Sequence, residues 1–131
     1  ANIVRPGSNF TLIATGRMVY EAMKAAEKLK DSGIDTEVID PRTIQPFDTQ
    51  TVIDSVKKTH RVMIVHEAVR FGGIGGEIAA QIQELAFDYL DAPVGRVGAP
   101  FSPVPFSPAL EAAYVPNADR VVAEAKKLLG L

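Results

Sequence analysis

The sequence predicts an α/β fold in which a parallel sheet lies between two layers of helices. Three short segments, Phe10–Ala14, Thr36–Asp40 and Arg61–Val65, lack the polar/apolar alternation of a strand with one face in water. Such segments are typical of strands that are buried on both faces. Amphipathic helical patterns separate them, and alternating strands and helices indicate a three-layer α/β/α arrangement.

Length and composition are those of one ordinary globular domain. The chain has 131 residues, of which 47% are hydrophobic and 23% are charged, which excludes intrinsic disorder. There is no cysteine, so disulfides, thiolate zinc sites, iron–sulfur clusters and cysteine nucleophiles are excluded. The two histidines are too few for a histidine-rich metal site.

Charge and hydropathy exclude two classes of partner. Fourteen basic against 16 acidic residues give a net charge of −2, without the basic cluster that nucleic acid or anionic lipid would require. No apolar run approaches the roughly 18 residues of a membrane helix, and no signal peptide is visible. We therefore expect neither nucleic acid nor a membrane as partner. Because the chain begins at Ala1, we expect a processed protein or a piece of a longer one.

The chain before Asp48 is predicted to contain strands and one long helix. An extended piece at Asn2–Val4 and a turn precede the first buried strand. A helix is predicted from about Arg17 to Lys30, because its apolar residues recur at helical spacing, and Gly33 suits the position just after such a helix. Pro41 ends the next strand because it cannot donate a ladder hydrogen bond.

The chain from Asp48 onward is predicted to contain three helices, the strand Arg61–Val65 and a last strand. Asp48 can cap a helix that runs to about Lys58, and Asn117 can cap the final helix. Between them, a helix is predicted from Glu77 to about Leu90, with Leu85 on its buried stripe, followed by a strand at Pro93–Gly98.

A glycine-rich turn lies between a strand and a helix, where phosphate-binding loops occur. Its glycines are Gly72, Gly73, Gly75 and Gly76. The third glycine of a dinucleotide fingerprint is missing because residue 78 is isoleucine, and no Lys-Ser/Thr pair follows. We interpret the turn as a place where the helix packs closely on the sheet or on a partner. A small-anion site is the alternative.

His66 and Glu67 are predicted to lie just past the carboxyl end of a buried strand, where open α/β sheets place their sites. Such a pair could act as an acid–base couple or bind a metal. The other histidine, His60, lies on the far side of the strand. We interpret His66 as structural, with its imidazole hydrogen-bonded at a domain or subunit contact.

Two loops have simple structural interpretations. After the second buried strand, Arg42 is expected to fix the loop by hydrogen bonds while Asp48 caps the next helix. No phosphoacceptor set and no Gly-x-Ser-x-Gly nucleophile turn is present. The proline-rich loop Pro100–Pro108 is either a rigid crossover or a contact surface formed by Phe101, Val104 and Phe106.

Taken together and in order, the motifs resemble the C-terminal domain of E1 beta subunits of thiamine-diphosphate-dependent 2-oxo acid dehydrogenases, within the transketolase family. The resemblance covers essentially the whole chain. Its motifs are Asp40–Asp48, Val65–Ala68, Gly72–Ile78, Leu90–Pro93 with Arg96–Val97, Pro103–Phe106 and Val115–Asn117.

The resemblance implies a five-stranded mixed sheet with one antiparallel edge strand near Ile3. It implies that residues 1–131 form a single domain of a longer beta subunit, whose parent enzyme decarboxylates a 2-oxo acid oxidatively and transfers the acyl group to a lipoyl acyltransferase. Thiamine diphosphate and magnesium would be bound elsewhere in that parent. We expect no catalytic, cofactor-binding or metal-binding residue in this domain.

The resemblance also implies partners and a location. The partners are an E1 alpha subunit, a second beta subunit and the small basic subunit-binding domain of the acyltransferase, which would face Asp91 and the terminal carboxylate of Leu131. The location would be the bacterial cytoplasm or the mitochondrial matrix. The residues that we expect at a subunit contact are His66, Glu67, Gly72, Gly73, Gly75 and Gly76. The alternative is a free-standing α/β module that binds a small anion or a nucleotide.

Overall fold

The computed structural model describes residues 1–131 and contains one sheet and five α-helices. The strands are β1 (Asn2–Arg5), β2 (Phe10–Ala14), β3 (Thr36–Asp40), β4 (Val62–Val69) and β5 (Gly95–Ala99). The helices are α1 (Met18–Lys30), α2 (Thr49–Thr59), α3 (Ile74–Ala86), α4 (Pro108–Tyr114) and α5 (Ala118–Leu128), and a short 3-10 turn (Phe87–Tyr89) follows α3.

The sheet has the strand order β1-β3-β2-β4-β5. Strand β1 pairs antiparallel with β3, whereas every other neighbouring pair is parallel. The five-stranded, mostly parallel sheet with one antiparallel edge strand is therefore confirmed. No helix is long and apolar enough to cross a membrane.

The core is divided between the two faces of this sheet. Helices α1 and α5 cover one face, where Leu12 packs, and α2 and α3 cover the other, where Ile13 packs. Consecutive side chains of a strand point to opposite faces, and both of these are completely buried. This double burial explains why the central strands show no polar/apolar alternation.

Both predicted helix caps are present. The Asp48 side chain accepts a hydrogen bond from the Thr51 backbone N–H at 3.1 Å, and that of Asn117 accepts one from the Arg120 N–H at 2.9 Å. Hydrogen bonds from the Thr51 side chain and backbone lower the pKa of Asp48 below its ordinary value. The caps therefore set the starts of α2 and α5.

Three predicted boundaries are wrong. Strand β4 continues to Val69 because β5 lies alongside it, with Val69 opposite Ala99. Helix α3 begins at Ile74, inside the glycine turn, and gives way to the 3-10 turn after Ala86. Leu85, predicted to be buried, is 56% exposed, because α3 turns it away from the sheet.

Helix α4 was not predicted at all. The loop Pro100–Pro108 leads directly into it, with Ser107 before its first turn and Pro108 at the start. Proline suits the first turn of a helix, because the N–H that it lacks would have no partner there. The proline density of the preceding loop concealed this start.

A polar cluster closes the edge of the sheet near β1. The carboxylate of Glu37, 1% exposed, accepts hydrogen bonds from the Lys58 ammonium at 2.5 Å and the Gly7 N–H at 3.2 Å. Burial raises the pKa of Glu37, but hydrogen bonds from Lys58, Ser55 and Gly7 outweigh it and lower that pKa below its ordinary value. Nearby, the Thr11 hydroxyl lies 2.7 Å from that of Ser55. The cluster attaches α2 to the sheet.

Candidate functional site

His66 lies within β4 and is 2% exposed, so its predicted place just past the strand is wrong. The reason is the extension of β4 alongside β5. The His66 Nδ1 atom is 3.0 Å from the carbonyl oxygen of Ala68, which makes Nδ1 the donor and leaves Nε2 as an acceptor. Nε2 is buried and has no hydrogen-bond partner.

Three glycines surround the His66 ring. A Cβ atom on Gly73 would lie 2.7 Å from its Cε1, one on Gly75 would lie 2.8 Å from its Nε2, and one on Gly98 would lie 2.8 Å from its Cε1. Any of these contacts is far shorter than van der Waals packing allows. These glycines therefore make room for the His66 side chain, which belongs to the same polypeptide.

The other two glycines of the turn have different surroundings. Gly72 has a φ of +73°, a left-handed conformation that glycine adopts without strain. A Cβ atom on Gly76 would meet only the Arg96 guanidinium, at 3.5 Å. Glu67 is exposed on β4. The structure thus brings the six predicted contact residues together around the start of α3, with the imidazole enclosed and Glu67 and Gly72 at the surface.

The electrostatics of His66 do not favour an anion site. Burial lowers the pKa of His66, and the Arg96 charge lowers it further, while the hydrogen bond to Ala68 opposes both. The ring is then neutral near pH 7, and its buried Nε2 offers a lone pair, which repels an anion. The ring also fills the space that the glycines leave, so this turn does not form a cradle for a diphosphate.

The chain also offers no metal centre. No three His, Asp or Glu side chains lie close enough together to hold a metal ion. The residues present therefore supply no such ligand set for magnesium.

A groove of about 810 Å³ runs along α3 and joins the glycine turn to the Asp91 segment. Gly76 and Ala80 of α3 and the following Phe87 line the groove, and Asp91 and Arg96 supply its charges. The Phe87 side chain is 64% exposed. The groove is open and mostly apolar in its lining, as interaction surfaces often are.

Asp91 and Leu131 both lie outside the helices and strands, Asp91 before β5 and Leu131 after α5. The Asp91 backbone N–H donates to the His60 carbonyl at 2.9 Å, and that of Leu131 donates to the Lys126 carbonyl at 2.8 Å. Both residues are exposed. Pro93 and Leu128, which lie two and three positions from them, line one depression of about 340 Å³. The segment after Asp91 and the end of α5 thus face a common surface.

The proline-rich loop exposes aromatic side chains. The rings of Phe71 and Phe101 meet edge to face with centroids 5.2 Å apart, and both are exposed. Phe106 is 100% exposed. The Tyr114 hydroxyl of α4 donates to the Ser102 carbonyl at 3.2 Å and so ties the loop to that helix.

Arg96 is the site residue that the sequence reasoning missed. It lies on β5 with its guanidinium over the start of α3. The available signal was a single charged residue within Pro93–Gly98, a strand otherwise composed of small and apolar residues. A charge in such a strand indicates a position at which the sheet meets a groove or a partner.

These features define a three-layer α/β domain whose conspicuous surfaces are an open groove and exposed aromatic side chains. The chain belongs to the transketolase C-terminal domain family, described as "Transketolase, C-terminal domain", whose model matches residues 1–121. The family resemblance found in the sequence is thereby confirmed.

Similar proteins carry beta-subunit names. The chain is 44% identical over 130 residues to the beta subunit of acetoin:2,6-dichlorophenolindophenol oxidoreductase from Bacillus subtilis, covering 99% of this chain and 38% of that protein. It is 43% identical over 129 residues to the pyruvate dehydrogenase E1 component subunit beta of Staphylococcus aureus, covering 98% and 39%. The chain thus spans about two fifths of the length of these relatives.

A solved structure is also similar. It is described as a split-gene transketolase in an inactive beta4 tetramer, and it superposes with a TM-score of 0.84 at 30% identity, covering 99% of this chain and 41% of that one. The fold of this chain is therefore that of a part of a longer beta-type polypeptide.

Proposed function

We propose that residues 1–131 form one domain, the C-terminal assembly and docking domain of the E1 beta component of a 2-oxo acid dehydrogenase complex. The observation that carries the proposal is the similarity along 99% of the chain to a protein named as a beta subunit, of which the chain spans 38%. The exposed groove and aromatic side chains support a role in assembly, because large apolar surfaces in water mark contact sites.

The parent enzyme decarboxylates a 2-oxo acid oxidatively and passes the acyl group to a lipoyl acyltransferase. Thiamine diphosphate and magnesium belong to other parts of that parent, and this domain contributes no catalytic residue. A location in the bacterial cytoplasm or the mitochondrial matrix is part of the same proposal.

The proposed partners are an E1 alpha subunit, a second beta subunit and the basic subunit-binding domain of the acyltransferase. His66 supports a subunit contact although it is itself buried. Its ring fixes the start of α3, and the exposed residues Glu67 and Gly72 lie beside that start. Asp91 and the Leu131 carboxylate would bind arginines and lysines of the docking domain through charge-assisted hydrogen bonds.

Isolation of the native protein tests the assembly. The chromosomal gene would be tagged in its source organism, and the complex purified and assayed with pyruvate, branched-chain 2-oxo acids and acetoin in turn. We expect an E1 alpha subunit and an acyltransferase in the complex, together with activity that requires thiamine diphosphate. Purification of a complex that contains neither protein would contradict the proposal.

Calorimetry with the purified chain tests the docking surface. We expect the basic subunit-binding domain to bind, and Asp91→Asn to weaken that binding at least about tenfold. Asp88→Asn is the matched control, because Asp88 is an exposed carboxylate three positions away, outside the groove. Equal loss in both variants would mean that net charge alone acts. A titration with thiamine diphosphate and magnesium should give no heat of binding.

A further inference from the structure

The His66 ring is held tightly between β5 and the start of α3. A Cβ atom on Gly73 would lie 3.0 Å from its Nε2 atom, and one on Gly75 would lie 2.8 Å from the same atom. A Cβ atom on Gly98 of β5 would lie 2.8 Å from Cε1. The imidazole therefore has no free space around it, and it can reach water only if the β4–α3 turn (residues 70–73) moves.

The two ring nitrogens have different roles. Nδ1 donates a hydrogen bond to the Ala68 carbonyl oxygen at 3.0 Å, so Nε2 carries the lone pair. Nε2 is buried without a partner, and it lies against the start of α3, where Gly73 provides no side-chain cap. The positive end of the helix dipole attracts this lone pair, whereas it would repel a proton bound there.

The charged groups near the ring do not compensate for such a proton. The charged side chains on the elements that surround the ring are Arg17, Glu67, Arg70, Glu77 and Arg96. Three of these five are cations, and the Arg96 charge adds to burial in lowering the pKa of His66. Glu67 and Glu77 are exposed, and neither forms an ion pair with His66. A protonated ring would therefore be a buried cation without a counter-ion, which is strongly unfavourable.

We propose that His66 is a pH-sensitive switch, which holds the β4–α3 turn closed while its ring is neutral and lets the turn open when Nε2 binds a proton. The turn can open alone because weak hydrogen bonds hold it: the Gly73 N–H donates to the Arg70 carbonyl at 3.4 Å, and the Gly76 N–H donates to the Gly73 carbonyl at 3.1 Å. Opening would rearrange the surface around Glu67 and Gly72, and in the proposed function this surface is a subunit contact.

Amide hydrogen exchange tests the switch, followed by NMR from pH 7 to pH 5 and corrected for intrinsic exchange rates. The Gly76 amide reports on the turn, and the Thr11 amide in the central strand β2 reports on complete unfolding. We expect Gly76 to open at least about 100-fold more often than Thr11 at each pH. Its opening constant should rise about tenfold over this range, since one proton changes it by at most tenfold per pH unit.

The start of α1 provides a comparison within the same spectra. The Val19 N–H donates to the Gly16 carbonyl at 3.2 Å in the first turn of a helix that has no histidine. Its local opening does not expose His66, so the opening constant should change less than about twofold between pH 7 and pH 5.

Four variants assign the effect to the ring and to its charged neighbour. His66→Gln should make the Gly76 opening constant independent of pH, whereas His60→Gln should retain the rise. Arg96→Gln should reduce the rise at least about twofold, because the closed turn then tolerates a proton better. Arg120→Gln removes an exposed cation from α5 and should retain the full rise. Protection of the Thr11 amide shows that each variant is folded.

Three results would each overturn the proposal. The first is a Gly76 amide that exchanges no faster than Thr11, which would mean that only complete unfolding exposes the ring. The second is a Gly76 opening constant that does not change with pH. The third is a rise that persists in His66→Gln. No partner is present in these samples, so none of these results bears on the proposed assembly and docking.

Discussion

Charged side chains are paired at one edge of the sheet and unpaired at the other. At the β1–β3 edge, the buried carboxylate of Glu37 is paired with Lys58 and hydrogen-bonded to Gly7. At the β4–β5 edge, Arg96 and Asp91 have no ionic partner and border an open groove. At the first edge the charges are paired within the chain, whereas at the second they are available to pair with another molecule. Mutations at the first should therefore change stability, and mutations at the second should change association.

The largest expected effect is that of Gly7→Ala at the closed edge. The new Cβ atom would lie 2.3 Å from both the Glu37 nitrogen and the Thr36 carbonyl carbon. Because both atoms belong to the backbone of β3, no side chain can move to relieve the contact. We expect the free energy of unfolding in urea to fall by about 3 kcal/mol or more.

Gly76→Ala is the control for this change at the open edge. Its Cβ atom would meet only the Arg96 side chain, at an ordinary contact distance of 3.5 Å. Alanine is also the better helix former, so stability should stay equal or rise by up to about 1 kcal/mol. Equal destabilisation by the two substitutions would show that the two edges do not differ in this way.

The next effect is that of Lys58→Ala, which leaves Glu37 buried without its cation. Breaking a buried ion pair costs several kcal/mol, but Lys58 is half-exposed, so water replaces part of the interaction. We expect a loss of about 2 kcal/mol at pH 7 in urea unfolding. Lys57→Ala, the adjacent position, removes only a contact with the Tyr89 ring and should cost about 0.5 kcal/mol.

The destabilisation caused by Lys58→Ala should become smaller as the pH is lowered. The pKa of Glu37 is lowered in the folded state, so its contribution to stability is complete above the unfolded-state pKa and is lost as the pH falls through the folded-state value. The destabilisation by Lys58→Ala should therefore shrink below about pH 4. A loss of stability that stays constant down to pH 2 would contradict an ionic role.

His66, at the open edge, should make the free energy of unfolding depend on pH in a higher pH range than Glu37 does. Its pKa is lowered in the folded state, so near pH 6 the unfolded chain binds more protons than the folded one. The free energy of unfolding should be greatest above the unfolded-state pKa, about 6.5, and should fall as the pH is lowered through it.

Two variants separate His66 from the other histidine. His60→Gln should retain this slope, whereas His66→Gln should remove it, with NMR titration of the ring protons as a second measurement. A His66 signal that titrates at or above the ordinary histidine pKa would contradict the enclosed, neutral ring.

The sequence predicted the elements well where local patterns and the core agree. Strand β2 and the caps Asp48 and Asn117 were predicted correctly, because double burial and capping each leave a local pattern of residue types. The end of β4 was missed because it depends on β5, thirty positions further along the chain: Val69 is extended only where it pairs with Ala99. No local pattern contains that contact.

The candidate site was predictable in its residues but not in its geometry. The glycine turn and His66 were selected together, yet only the fold shows that Gly73, Gly75 and Gly98 surround the imidazole. Arg96 was missed for a related reason: its importance comes from its position over α3, which depends on the strand order.

The smallest expected effect on stability is that of Phe106→Ser, and it separates the two interpretations of the proline-rich loop. Phe106 is 100% exposed, so its removal should change the free energy of unfolding by no more than about 0.5 kcal/mol. Phe71→Ser is the matched comparison, since it breaks the ring pair with Phe101 and should cost about 1 kcal/mol. If the loop is a contact surface, both variants should need more ammonium sulfate to precipitate, because less apolar surface is available for association. A loss above about 1 kcal/mol for Phe106→Ser, with unchanged solubility, would instead show that Phe106 packs against its own chain and that the loop is a rigid crossover.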